Sequence, residues 1–98
     1  MTTFKTLELA IKQYHQIKKL NFKGEIRSQI ERAALSVCLN LSEGNAKAKT
    51  QDRKRFFNIA YASQKETQTL LLIENKNILL SEADILGACL YRLQQNAL

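Results

Sequence analysis

The chain has 98 residues, 45% of them hydrophobic, with no proline, three glycines and a net charge of +6. A chain of that length makes one domain that buries roughly 60–65% of its unfolded surface, and its apolar content excludes intrinsic disorder. The opening residues MTTFKTLEL lack the apolar stretch of a secretion signal, and no run of residues is long and apolar enough to span a bilayer. A cytoplasmic location without a membrane partner is therefore expected.

Phe4, Leu7, Ile11, Tyr14 and Ile17 recur at steps of three and four, which is one face of a helix over about residues 3–21. Leu20 and Phe22 close that helix before Gly24. A second helix, about 25–43, carries Ile26, Ile30, Ala33, Val37 and Leu41 on one face. Gly44, with Asn45 behind it, is expected to supply a left-handed C-cap. The third helix, about 51–77, takes Thr50 as N-cap and has Asp52 in its first turn, where a negative charge suits the helix dipole. The fourth, about 82–97, takes Ser81 as cap, with Glu82 and Asp84 following. Its stripe is Ile85, Leu86, Cys89, Leu90 and Leu93. Nothing alternates at period two. Short loops make neighbouring helices antiparallel, so the expected fold is all-α: an up-down-up-down four-helix bundle formed by residues 1–98 as a single domain.

Leu70, Leu71, Leu72 and Ile73 are consecutive and therefore point around the whole third helix. A helix that is apolar all round is buried on more than one side. These four residues are the expected interface of a homo-oligomer, because large apolar patches are seldom left open; the alternative is that the fourth helix and the chain end cover them.

Helical steps of 100° put Gln29, Arg32, Ser36, Asn40 and Glu43 in one narrow sector of the second helix. Solvated faces usually carry long charged side chains, whereas Ser36 and Asn40 are short, uncharged and poor helix formers. Internal hydrogen bonds or a close helix crossing account for them better. Glu43 lies at the negative end of its helix, a cost of about 0.3–1 kcal/mol unless a cation neutralises it. Arg53, Lys54 and Arg55 have the opposite problem at the positive start of the third helix. Pairing of Glu43 with one of them would relieve both. The remaining cations, with Lys47 and Lys49, and with Lys5 and Lys12 from the first helix, form a basic cluster at one end of the bundle. Such a cluster beside open helix N–H groups suits phosphate. No aromatic residues interleave with it in sequence, so contact with the nucleic-acid backbone is expected rather than base reading.

Enzyme chemistry finds no residues to carry it. His15 is the one histidine, there is no Glu-x-x-His pair, no Gly-rich phosphate loop and no Cys-x-x-Cys. No catalytic residue, metal ligand or cofactor is expected. Cys38 and Cys89 sit on apolar helical stretches and are expected as buried thiols.

The stretch RAALSVCLNLSEG, Arg32 to Gly44, resembles the signature of the four helix bundle proteins, also called 23S rRNA intervening-sequence proteins. Those carry Arg-Ala-Ala-x-Ser-Val/Ile, then Asn, an aliphatic residue, a small residue and Glu-Gly. Arg32, Ala33, Ala34, Ser36, Val37, Asn40, Leu41, Ser42, Glu43 and Gly44 match. The preceding SQIER is similar to the family's Gln-Ile-x-Arg approach. FFNIAYASQKE resembles its Phe-x-x-x-Ala-x-Gly/Ala-Ser-x-x-Glu helix, matched by Phe57, Ser63 and Glu66. The likeness runs from about Phe4 to Leu93. Departures are Cys38 and Leu39, where the family often has Pro-Ser, and the missing Val-Trp of the first helix.

The resemblance implies an up-down bundle assembled into a homopentameric ring. It also implies kinship with the accessory variability determinant of diversity-generating retroelements, a basic pentamer that binds nucleic acid and a reverse transcriptase. Arg32, Ser36, Asn40, Glu43, Ser63 and Glu66 are then expected to form a polar network between the second and third helices or between subunits. The expected function is a non-enzymatic homo-oligomer that holds RNA or DNA through its basic ends. The alternative is an adaptor that docks a partner protein, such as a reverse transcriptase, without binding nucleic acid itself.

Overall fold

The computed structural model describes residues 2–96, and among them four helices account for nearly the whole chain. They are α1 (Thr3–Lys19), α2 (Gly24–Ala46), α3 (Thr50–Ile73) and α4 (Leu80–Gln95), with one 3-10 turn, Asn77–Leu79, ahead of α4. α1 packs on α2 and α4, and α3 also packs on α2 and α4, so the four form a square array. The direction of each pair follows from register. Lys23 at the start of α2 meets Glu74 at the end of α3, Ser36 meets Ser63 at mid-length, and Gly44 meets Phe57. Gln64 reaches Ala83, and Tyr61 pairs with Tyr91, so α3 and α4 are also antiparallel. This is the expected all-α, up-down-up-down four-helix bundle.

The core has two apolar clusters. Toward one end Ala10, Val37, Leu41, Phe57, Leu86 and Leu90 pack together; toward the other Ile17, Ile30, Ala34, Leu71, Leu79 and Ala83 do. A polar layer joins α1 to α3 in the interior. Gln13 Nε2 donates to Gln64 Oε1 and Gln64 Nε2 donates back to Gln13 Oε1, both at 2.8 Å. Gln64 Nε2 also donates to the Ala83 carbonyl at 3.1 Å. Both amides are buried, so the reciprocal pair satisfies groups that water cannot reach.

Several element ends differ from expectation, each for a physical reason. Gly44 is no left-handed cap: α2 continues to Ala46 and no glycine has positive φ. Gly44 instead makes room for the Phe57 ring of α3, since a Cβ there would lie 2.5 Å from Phe57 Cε1. The third helix stops at Ile73 rather than near Asn77. Asn75 turns left-handed at φ 56°, Lys76 N–H donates to the Leu71 carbonyl at 2.9 Å, and Asn75 N–H donates to that of Leu72 at 3.1 Å. That is a Schellman motif with asparagine in place of glycine. Thr50 and Ser81 do not cap. The cap positions fall on Lys49 and Leu79, neither with a side-chain hydrogen bond. Thr2 does cap α1, its Oγ1 accepting from Lys5 N–H at 3.1 Å.

Leu70 and Leu71 lie in the chain's own core, whereas Leu72 and Ile73 are exposed. Half of the four-residue apolar run is therefore covered by α2 and α4 packing within one chain, and only the outward pair is open to a partner.

Candidate nucleic-acid interface

The antiparallel order brings the start of α1, the end of α2, the start of α3 and the end of α4 to one end of the bundle. Lys47, Lys49, Arg53, Lys54 and Arg55 sit on the α2–α3 connection and the first two turns of α3. Lys49, Lys54 and Arg55 are exposed, and no carboxylate among the described residues lies within ion-pairing distance of them. Lys47 pairs with Glu43 at 3.6 Å on its own helix. Glu43 is thus neutralised from within α2, and the cations of α3 stay unpaired. Arg53 is different in kind. Its guanidinium lies 5.7 Å from the ring centroid of the core residue Phe57, and its Nε is buried. Its stem is part of the packing, as is usual for a long side chain laid on apolar surface.

Phe56 was not foreseen in this site. Its ring is flanked by Lys47 Nζ at 5.4 Å and by the Arg55 guanidinium at 5.0 Å. Cation–π contacts hold both charges forward at this end. The Arg55–Phe56 adjacency was visible in the sequence, but the approach of Lys47 needed the α2–α3 turn.

The lysines of α1 are arranged otherwise. Lys5 lies near the basic end and pairs with Glu8 at 3.7 Å. Lys12 lies away from it, 3.8 Å from Glu82 at the start of α4, which is the opposite end of the bundle. The expected cluster thus narrows to the residues around the α2–α3 connection, with Lys5 at its margin.

The polar stripe of α2 divides in the same way. Ser36 Oγ and Ser63 Oγ are 2.8 Å apart, and Asn40 Nδ2 donates to Ser36 Oγ at 3.1 Å and to the Ser36 carbonyl at 2.9 Å. These three form a half-buried cluster across the α2–α3 seam. Arg32 and Glu66 are exposed, and Glu43 belongs to its pair with Lys47. Leu39 and Ile59, one helical turn from Ser36 and Ser63, are exposed beside the cluster.

Among the described residues no group of three or more His, Cys, Asp or Glu side chains is placed to hold a metal ion, and no helix is long and apolar enough to cross a membrane. Cys38 and Cys89 are buried. Burial pushes the Cys38 thiol up to about 11, with a backbone hydrogen bond opposing the shift. Such a thiol stays protonated near neutrality and is a poor nucleophile.

Fold and site together define a class: an antiparallel four-helix bundle with exposed, unpaired cations on the α2–α3 connection and the start of α3. Compared with protein families, residues 3–89 match the family described as 23S rRNA-intervening sequence protein, and the chain belongs to that family. No curated protein and no solved structure matches it.

Proposed function

We propose that this chain is a non-enzymatic protein that works as a homo-oligomer and binds the phosphate backbone of RNA or DNA through its basic end. The observation that carries the reading is the set Lys49, Lys54 and Arg55, exposed at the uncapped start of α3 with no carboxylate partner among the described residues. Unpaired cations beside open helix N–H groups favour anions, and repetition of that end around an assembly adds avidity without sequence reading. Assembly is supported by large apolar side chains left outside, among them Leu39 at 57%, Leu72 at 59% and Ile73 at 58% exposure.

The test joins mass to binding. Light scattering at moderate salt, with and without short RNA and DNA, should find an assembly that gains mass with nucleic acid. The combined variant Lys49→Ala, Lys54→Ala and Arg55→Ala should keep the assembly and lose most of the binding. Arg53 is left intact because its removal would disturb the packing on Phe57. Binding that survives the triple variant would reject this surface.

The same exposed apolar side chains favour one second reading, an adaptor that docks a partner protein such as a reverse transcriptase. An assembly that ignores nucleic acid at any salt concentration would select it.

A further inference from the structure

A groove of about 400 Å³ runs between α3 and α4, outside the basic end described above. Its walls are Tyr61 and Lys65 from α3 and Tyr91 and Arg92 from α4. Its floor is low because of Gly87. A Cβ there would lie 2.8 Å from Gln68 Oε1, so the Gln68 amide sinks against α4 only because residue 87 has no side chain. Gln68 Nε2 donates to Asp84 Oδ1 at 2.7 Å, which holds the amide in that position.

The two tyrosine rings meet across the groove, with centroids 5.7 Å apart and planes tilted by 58°. Tyr91 is 49% exposed, so much of its ring is open to solvent. Lys65 Nζ stands 5.9 Å from the Tyr61 centroid. Lys65 and Arg92 are both exposed, and neither has a carboxylate within ion-pairing distance among the described residues. The acid of the groove, Asp84, lies seven residues before Tyr91, about 10 Å down α4 and away from the basic end. On α3 the order Lys54, Tyr61, Lys65 follows steps of seven and four, which keeps all three on one side of the helix. Lys54 of the basic end and the groove residues Tyr61 and Lys65 therefore lie along one side of α3.

We propose that this α3–α4 groove is a single-stranded nucleic-acid track, with Tyr91 stacking a base and Lys65 and Arg92 meeting the phosphates on either side. The inference rests on the nucleic-acid reading above and adds a substrate class to it. Open aromatic faces between cations are the recurring chemistry of single-strand binding, since every base has a π-face and an unpaired base can leave its neighbours. A base paired within a duplex cannot reach a ring set in a groove. Duplex would be held only by the basic end.

Tyrosine emission reads this directly, because the chain has three tyrosines and no tryptophan. The experiment titrates the full chain with oligo(dT), oligo(rU) and a duplex of equal length, following tyrosine quenching and the anisotropy of labelled strands. Single strands of either sugar are expected to quench and to bind more tightly than duplex. Tyr91→Ala should weaken single-strand binding about tenfold, as loss of one base–aromatic stack does, and leave duplex binding unchanged. Tyr91→Phe should bind like wild type. The exposed pair Lys65→Ala with Arg92→Ala should weaken single-strand binding without touching the fold, which keeps the test independent of any folding defect in Tyr91→Ala.

Equal binding of duplex and single strand, unaffected by Tyr91→Ala and by the Lys65/Arg92 pair, overturns the groove and leaves the basic end standing. Absence of binding to all three nucleic acids overturns both. Capture of poly-glutamate in place of the oligonucleotides, weakened by Tyr91→Ala, would assign the groove to an acidic protein partner and overturn the proposal.

Discussion

Asn75 and Cys38 show how much one residue's backbone angle or burial decides. Asn75 is the one non-glycine with positive φ among the described residues, and it ends α3. Asparagine tolerates the left-handed region better than other side chains, whereas alanine pays about 1–2 kcal/mol there. Asn75→Ala is expected to lower unfolding free energy by about 1 kcal/mol, and Asn75→Gly to match or exceed wild type, measured by urea denaturation. Cys38 gives a pH dependence. Its thiol ionises near 9.0 when unfolded and near 11 when folded, because burial disfavours the thiolate. The native state then holds the proton longer than the unfolded state, so this contribution to stability is full below pH 9 and falls as pH rises toward 11. Urea midpoints of wild type should drop more steeply between pH 9 and 11 than those of Cys38→Ala. Parallel curves would contradict that account.

At the scale of elements, the crossings matter more than the helices. α2 and α3 come together at Gly44, where a methyl group would press on Phe57 and stand 3.3 Å from Phe56 Cβ. Gly→Ala inside a free helix gains about 1 kcal/mol, but overpacking a filled contact costs about 1–3 kcal/mol. Phe57 is buried and cannot swing away, so Gly44→Ala should lower the melting temperature. A rise would mean that the ring moves freely. α1 and α3 are held by the Gln13–Gln64 amide pair. Gln13→Leu or Gln64→Leu alone strands a buried amide, at about 1–3 kcal/mol each. The double variant should cost clearly less than the sum, with residual loss from the Ala83 carbonyl that Gln64 also satisfies. Additive losses in a double-mutant cycle would show that the pair is not coupled.

The whole molecule is a rod of about 40 × 22 × 18 Å, and one end of it carries the exposed, unpaired cations Lys49, Lys54 and Arg55. Charge of this kind acts through counterion release, so binding should fall steeply with salt. On single strands the slope of log affinity against log salt is about −0.7 per phosphate neutralised. Removing Lys49, Lys54 and Arg55 should therefore flatten that slope by about two per chain engaged, as read from anisotropy titrations at several salt concentrations. A slope that does not change would place the phosphate contacts elsewhere.

Helix number, antiparallel order, the core face of α2 and the basic balance were legible in the order of residues. The reason is that the 3.6-residue period, the breaks at residues 20–23 and at the α2–α3 connection, and net charge are local or additive properties of a chain. The Arg32–Gly44 signature carried the family as well. Phe4 and Ile11 of α1 and Ile85 of α4, by contrast, were expected on core faces and are exposed, and α1 buries Thr6, Ala10 and Gln13 beside Ile17. What only the tertiary structure decided depends on which helix faces which, and at what height. Gly44 reads locally as a helix stop and is instead a crossing point, because Phe57 arrives there from the next helix. Gln13 and Gln64, 51 positions apart, satisfy each other only once α1 and α3 share a core. Leu70 and Leu71 are covered while Leu72 and Ile73 are not, since packing within one chain reaches only one side of α3. Tyr61 and Tyr91 lie far apart in sequence and side by side in space, because register across an antiparallel pair is set by packing and leaves no mark in either helix alone.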